Sequence, residues 1–343
     1  MLDRILLMKH ALKNKPLPKG HRTRKTASFS REGNHHSTHG LLTTLHEACV
    51  PDTWRDKVIQ GDCLAVLRQM PPDLVDLVVT SPPYADSRKT TYGGVSPDKY
   101  VDWFLPIAAE LKRVLKPEGT FILNIKEKVV NSERHTYVME LIFGMRQQGW
   151  LWTEEFIWHK KNCYPGKWPN RFRDAWERCL QFNKQKKFHM YQDNVMVPMG
   201  EWAKARLKHL SETDKRRDNS RVESGFGKKI SNWIGREMAY PSNVLHFSTE
   251  CGNKNHSAAF PVALPKWFIK LFTRECHLVL DPFLGSGTTA AAARALDRHY
   301  IGIEIQTEYV RLAREALENL GQKTRVTSNG QSHPETYSAV RQR

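Results

Sequence analysis

Leu74-Val75-Asp76-Leu77-Val78-Val79-Thr80-Ser81-Pro82-Pro83-Tyr84 is the stretch that decides the fold class of this 343-residue chain. Its first seven residues are mostly apolar and β-branched, without the alternation of a half-exposed strand. Such a run suits a strand buried on both faces of a parallel sheet. The strand stops at two prolines, which cannot donate to a sheet ladder and which fix the backbone.

Elements of the same texture lie on both sides. Upstream, Lys57 to Asp62 reads as a short strand ending at an acid, and Leu64 to Met70 as a helix stopped by Pro71-Pro72. Downstream, a polar loop from Ala85 to Asp98 precedes an amphipathic helix, Tyr100 to Leu115, closed by Lys116-Pro117-Glu118-Gly119. Thr120 to Ile125 is a strand and Tyr137 to Gln148 a helix. Trp152 to Trp158 and Arg178 to Phe182 are two more strands, separated by an irregular basic and aromatic stretch from Lys160 to Arg173.

The rhythm breaks between 183 and 240, a charged segment read as an insert or small lobe. It then resumes with a helix from Phe260 to Phe272, a strand from His277 to Leu280 and a Gly-rich turn from Asp281 to Thr289. An alanine-rich helix from Thr289 to Leu296, a strand from Tyr300 to Ile305 and a helix from Glu308 to Leu320 complete it; a polar, frayed tail is expected after Gly321. Alternating strands and helices predict an open, mostly parallel α/β sheet.

Composition narrows the partners. The net charge of +17 favours a polyanion. Ten tryptophans, many beside Lys or Arg, suit base stacking and phosphate contact. No apolar run is long enough to span a membrane, and the N-terminus lacks the pattern of a signal peptide. The six cysteines form no C-x-x-C pair and are not spaced with histidines as zinc ligands, so no metal is expected and free thiols in a reducing cytoplasm are.

The turn Leu278-Val279-Leu280-Asp281-Pro282-Phe283-Leu284-Gly285-Ser286-Gly287-Thr288-Thr289 joins a strand to a helix, where an α/β sheet binds its ligand. It lacks the Lys of a P-loop and the third glycine of a dinucleotide fingerprint. A nucleoside cofactor without a pyrophosphate suits it. Glu304, at the end of the next strand, is placed to accept hydrogen bonds from both ribose hydroxyls of an adenosine. Candidate cofactor contacts in the turn are Asp281, Phe283, Gly285, Gly287 and Thr288.

Thr80 to Tyr84, followed far downstream by Asp281 to Thr289, resembles the β class of DNA amino-methyltransferases. The resemblance covers about residues 55 to 320. It implies a Rossmann-like class I methyltransferase sheet, circularly permuted, with an inserted target-recognition region. It implies S-adenosylmethionine as cofactor, duplex DNA as partner and a bacterial cytoplasm, on the nucleoid, as location; a cognate restriction endonuclease is a further functional partner. The expected divisions are a basic arm (1–50), a catalytic half (51–182), a target-recognition region (183–240), a cofactor half (241–322) and a polar tail (323–343). Asp62 matches the acid near the cofactor adenine. His256 to Pro265 looks like the segment at the methionine end; Ala258 and Phe260 stand where many adenine enzymes have Thr and Lys, which leaves Ser257 and backbone amides as contacts.

The loop has chemistry to match. An exocyclic base amino group is a poor nucleophile because its lone pair is delocalised into the ring. Two acceptors on its hydrogens favour a pyramidal nitrogen able to attack a methyl sulfonium. Ser81 Oγ and the Pro82 carbonyl are the candidates, Pro82 and Pro83 hold them rigid, and Tyr84 offers a face for an extruded base. Family members with Asp at the Ser81 position mostly methylate adenine N6; those with Ser and a Phe-Pro version of the later segment mostly methylate cytosine N4. Both features point to cytosine N4, with adenine N6 as the alternative. A hydroxyl can also donate, which would suit the N3 acceptor of cytosine.

Cytosine C5 chemistry needs a Cys nucleophile, and no Pro-Cys occurs. RNA or small-molecule methylation and a catalytically silent DNA-binding module are the other classes considered. The basic insert argues against a small substrate, and the intact Ser81-Pro82-Pro83-Tyr84 against silence. Candidate DNA contacts are Arg88 and Lys89 in the loop after Tyr84, and Lys215, Arg216, Arg217, Lys228 and Lys229 in the insert.

Overall fold

A computed structural model describes residues 50–86, 94–163, 165–166, 168–213, 230–250 and 260–328. The expected sites at Arg88, Lys89, Lys215, Arg216, Arg217, Lys228, Lys229 and Ser257 lie outside the described residues, as do 1–49 of the arm and 329–343 of the tail.

In chain order the elements are β1 (Lys57–Gln60), α1 (Cys63–Gln69), β2 (Val75–Thr80), α2 (Pro97–Val114) and β3 (Leu115–Ile125). A small ribbon, β4 (Val129–Val130) and β5 (Glu133–Arg134), leads to α3 (Tyr137–Gln147), β6 (Leu151–Lys160) and β7 (Trp176–Asn183). Next come β8 (Val197–Pro198), α4 (Glu201–Lys208), β9 (Met238–Ala239) and β10 (Val244–Phe247). The chain then forms α5 (Ala263–Phe272), β11 (Leu278–Asp281), α6 (Thr288–Arg294), β12 (His299–Glu304) and α7 (Thr307–Ser328).

Among the described residues, eight strands form one sheet in the order β1-β12-β11-β2-β3-β7-β6-β10. The first five are parallel neighbours, and β7 runs antiparallel to both β3 and β6. All six residues of β2 are buried, as its composition predicts. Val75 and Val78 pack into one core with α1, α2 and α3; Leu77 and Val79 pack into the other with α5, α6 and α7. Helices thus cover both faces, the arrangement a parallel sheet requires.

This order brings the ends that matter to one edge. The carboxyl ends of β1, β2, β11 and β12 lie side by side, and chain-late strands sit between chain-early ones. Because β7 is reversed, its first residues lie at that same edge: Arg178 pairs with Ile125, the last residue of β3.

Several boundaries differ from the sequence reading. Helix α2 begins at Pro97, which suits a first helical position, and ends at Val114. Lys116 to Gly119, read as a closing turn, instead belongs to β3, where pairing with β2 jumps from Val75–Leu115 to Leu77–Thr120. The strand bulges there, and a Cβ on Gly119 would come within 2.9 Å of the Asp76 carbonyl. Strands β6 and β7 are longer than predicted because they pair with each other along most of their length. The final helix runs on to Ser328, past the expected fraying point, and Val50, assigned to the arm, is buried in the core.

Candidate active site

A cavity of about 360 Å³ opens beyond the carboxyl ends of β1, β2, β11 and β12, the usual ligand position in such a sheet. Ser81, Pro82, Pro83 and Tyr84 line one side, and Asp281 to Ser286 with Thr288 line the other. Asp62 and Cys63 enter from the turn after β1, Glu304 and Ile305 from the end of β12, and Val95, Trp103 and Phe260 help close it. All the proposed catalytic residues are present, with six of the proposed cofactor residues: Asp62, Asp281, Phe283, Gly285, Thr288 and Glu304.

Gly287 belongs to the same turn but is not among the residues lining the cavity. Its φ is +95° and a Cβ would meet Ala313 of α7 at 3.0 Å, so the glycine is needed for a left-handed backbone and a close helix contact.

The catalytic loop is held from several directions. Tyr100 donates its hydroxyl to the Pro83 carbonyl at 3.0 Å. Among the described residues, none donates to the Pro82 carbonyl. Ser81 Oγ donates to the Tyr84 hydroxyl at 3.2 Å. The Tyr84 hydroxyl lies 2.6 Å from Glu177 Oε2 and 3.1 Å from Asn124 Oδ1. Burial, with the Glu177 carboxylate beside it, holds that hydroxyl protonated well above the usual tyrosine range. The Tyr84 ring itself is only half-buried and borders the cavity.

The Gly-rich turn is organised by two buried acids. Asp281 Oδ1 accepts from Thr80 Oγ1 at 2.6 Å and from the Phe283 amide at 3.0 Å, while Oδ2 accepts from Thr289 Oγ1 at 2.6 Å. Burial pushes the Asp281 carboxyl up to about 6, against the three hydrogen bonds that favour its ionised form. Glu304 accepts from the Gly285 amide through Oε2 at 2.9 Å and from the Gln306 amide through Oε1 at 2.8 Å. These bonds fix the Glu304 carboxylate at the end of β12, on the wall of the cavity. Asp62 caps α1 by accepting from the Ala65 amide at 2.9 Å through Oδ1.

Among the described residues, the lining carries three acids, Asp62, Asp281 and Glu304, and no Lys or Arg. That set suits a cation with hydroxyl groups, and it does not suit phosphate. The aromatic rings of Tyr84, Trp103 and Phe283 add faces that attract positive charge. Burial and the neighbouring Asp62 push the Cys63 thiol up to about 12, so it is no nucleophile at neutral pH.

Sequence reasoning missed Asn124, Lys160 and Glu177. Lys160 Nζ lies 2.6 Å from Glu177 Oε1, and both side chains are largely buried. Trp103, which packs on Phe283 with ring centroids 5.7 Å apart, was also missed. An acid next to Arg178 at the start of a strand reads as ordinary solvated charge; no local signal marks it.

Comparison with known proteins agrees with this geometry. The N6/N4 methyltransferase family model, described as DNA methylase, matches residues 75–315, from β2 into α7. Type II methyltransferase M.PvuII of Proteus hauseri is 31% identical over 273 residues, 73% of this chain and 80% of the relative. Type II methyltransferase M.SmaI of Serratia marcescens is 26% identical over 317 residues, 82% of this chain and 98% of the relative. A solved structure described as PvuII DNA methyltransferase (cytosine-N4-specific) matches with a TM-score of 0.58 at 25% identity, covering 80% of this chain and 93% of that one. A DNA modification methylase from Thermus thermophilus, complexed with S-adenosyl-L-methionine, shares the fold with a TM-score of 0.51 at 22% identity over 77% of this chain and 93% of its own. With the family model covering both walls of the cavity and the sheet between them, the chain belongs to the N6/N4 DNA methylase family.

Proposed function

We propose that this chain transfers the methyl group of S-adenosylmethionine to N4 of a cytosine turned out of duplex DNA. The observation that carries the reading is the shared cavity: Ser81 to Tyr84 and the acid-lined turn after β11 come from opposite ends of the chain and face one space. The solved PvuII structure, described as cytosine-N4-specific, favours the same base here.

S-adenosylmethionine, when bound, supplies an electrophilic methyl group on a sulfonium centre. The residues present fit it. The acids suit its positive charge, Glu304 would accept from the ribose hydroxyls, and Phe283 and Ile305 would provide apolar faces for the adenine. Asp62 would lie on the adenine side, as the resemblance implies, and Ser257 is assigned to the methionine end. Ser81 Oγ and the Pro82 carbonyl accept the two N4 hydrogens and turn the nitrogen lone pair toward the methyl. The free face of Tyr84 stacks on the base. The N–CH₃ bond forms as the S–CH₃ bond breaks, and the nitrogen gives up one proton.

DNA recognition is assigned to 183–240 with help from 160–173, and to Arg88, Lys89, Lys215, Arg216, Arg217, Lys228 and Lys229 among the basic residues. In the described part of these segments, Phe172 is 93% exposed and Trp202 73% exposed. Arg171 lies over Trp168 at 5.2 Å and Arg206 over Trp202 at 5.3 Å. Such pairs suit a nucleic-acid surface. The chain-late strands lying between chain-early ones support a circular permutation, with a catalytic half at 51–182 and a cofactor half at 241–322. A bacterial cytoplasmic location on the nucleoid and a cognate endonuclease as functional partner follow from the same reading.

The test is transfer of label from S-adenosylmethionine to duplex DNA, followed by digestion. Label in N4-methylcytosine is expected. Label in N6-methyladenine alone would overturn the base assignment, and no transfer would remove the activity itself.

A further inference from the structure

We propose that Glu177 is a positioning residue for methyl transfer, acting through the Tyr84 hydroxyl to fix Ser81 as a hydrogen-bond acceptor toward the target amino group. The proposal rests on the reading of Ser81 as an acceptor and goes beyond it by explaining how a neutral hydroxyl is held to that role.

A serine hydroxyl left to itself can donate or accept, whereas a carboxylate only accepts. The surroundings remove the ambiguity. Tyr84 has one proton, and two acceptors face it: Glu177 Oε2 at 2.6 Å and Asn124 Oδ1 at 3.1 Å. Both acceptors are locked. Lys160 Nζ holds the other Glu177 oxygen at 2.6 Å. Asn124 gives its amide Nδ2 to the Arg178 carbonyl at 3.1 Å, which leaves Oδ1 toward Tyr84. Tyr84 therefore donates to this side and accepts from the other, where Ser81 Oγ stands 3.2 Å away. The Ser81 proton is committed to Tyr84, and its lone pairs are left for an N–H in the cavity. The buried carboxylate thus does, two hydrogen bonds away, what an acid at position 81 would do directly.

The same chain offers the released proton a path. As the N–CH₃ bond forms and the S–CH₃ bond breaks, N4 passes one proton to Ser81 Oγ. The Ser81 proton moves to Tyr84 and the Tyr84 proton to Glu177 Oε2. A sulfonium and a carboxylate become a neutral thioether and a neutral acid, so charge balances without an added base. Lys160 then faces a neutral partner, which favours onward loss of the proton to solvent.

The test compares single-turnover methyl transfer to duplex DNA by the wild type, Glu177→Gln, Tyr84→Phe and the double variant, with S-adenosylmethionine affinity measured alongside. Gln keeps an oxygen for Lys160 but turns an NH₂ toward Tyr84, which competes with Ser81 for the Tyr84 lone pairs. Phe keeps the ring that stacks on the base. Each single change is expected to slow transfer by roughly 10- to 100-fold, with cofactor affinity held within about twofold and the double variant no slower than the slower single one. Wild-type rates from Glu177→Gln would overturn the proposal, as would losses that multiply in the double variant. Tyr84→Phe keeps the question decidable if Glu177→Gln does not fold, because it leaves the Lys160 pair intact: an unslowed rate there overturns the proposal by itself. Label in adenine from the wild type would correct the base assignment alone, since the rate ratios apply to either amino group.

Discussion

Thr80 Oγ1 donates to Asp281 Oδ1 across 2.6 Å, and this bond ties the strand that leads into the catalytic loop to the strand that leads into the Gly-rich turn. The two residues close adjacent parallel strands and are both buried. Asp281 then passes the restraint to the next helix through Thr289 and to the turn through the Phe283 amide. One buried carboxylate therefore sets the spacing between the two walls of the cavity, a geometry to which methyl transfer is acutely sensitive.

Thr80→Val keeps the shape and removes the donor. We predict a stability loss of about 1–2 kcal/mol, with a fall in turnover that exceeds the fall in cofactor affinity. Urea unfolding and single-turnover assays measure the two effects. Unchanged turnover would show that the loop does not depend on this tie.

Asp281 gives a pH signature. Its folded carboxyl titrates near 6, above its ordinary value, because burial disfavours the charge. Between about pH 4 and 6 the folded protein holds a proton that the unfolded chain has released, so this group's contribution to stability falls as pH rises. The full difference is on the order of 3 kcal/mol. The stability of the wild type relative to Asp281→Asn is predicted to decline from about pH 4.5 to 6.5 and to level off above. A flat difference in urea melts across that range would refute the buried titration.

Ser81→Ala removes the side-chain acceptor and leaves the Pro82 carbonyl. Turnover is predicted to fall by about 100-fold or more, with S-adenosylmethionine affinity nearly unchanged. Calorimetric binding beside a labelled-transfer assay separates the two. Near-normal turnover would mean that Ser81 does not face the reacting nitrogen.

Gly287→Ala places a Cβ on a left-handed backbone with Ala313 3.0 Å away. We predict a loss of roughly 1–3 kcal/mol, read as a lower denaturation midpoint with weakened cofactor binding. A variant as stable as the wild type would show that the turn tolerates another backbone path.

DNA affinity should depend steeply on salt, weakening about 100-fold or more between 50 and 200 mM. Phe172→Ala is predicted to weaken binding without changing the salt slope, and Arg171→Ala to reduce the slope by about one. Fluorescence anisotropy at several salt concentrations measures both. A slope near zero in the wild type would contradict the polyanion reading.

The strands and turns that frame the site were legible in the sequence because their signals are local. A strand buried on both faces is mostly apolar, which exposed β2 and β11, and Asp62 and Glu304 stand where strands end. The Glu177 network was not legible, for an equally physical reason. Glu177 is buried only because β7 lies antiparallel between β3 and β6, and its partners Tyr84, Asn124 and Lys160 arrive from three other segments. The packing of Gly287 on Ala313 was not legible either, because a glycine serves ligand approach and left-handed backbone equally well. Lys116 to Gly119 carry turn residues, and the structure uses them in a strand bulge instead.

The sheet order has a consequence for the newborn chain. Among the described residues, β1 is an edge strand whose sheet neighbour is β12, and the contact from Asp56 to the Tyr300 amide spans 244 residues. At ribosomal rates of roughly 5–20 residues per second, β1 waits on the order of 10–50 s for the strand that covers it. Strands β11 and β12 must likewise slot between β1 and β2 after β3, β6, β7 and β10 have emerged. The sheet therefore closes late, with β1 and β2 open to wrong pairing in the interval.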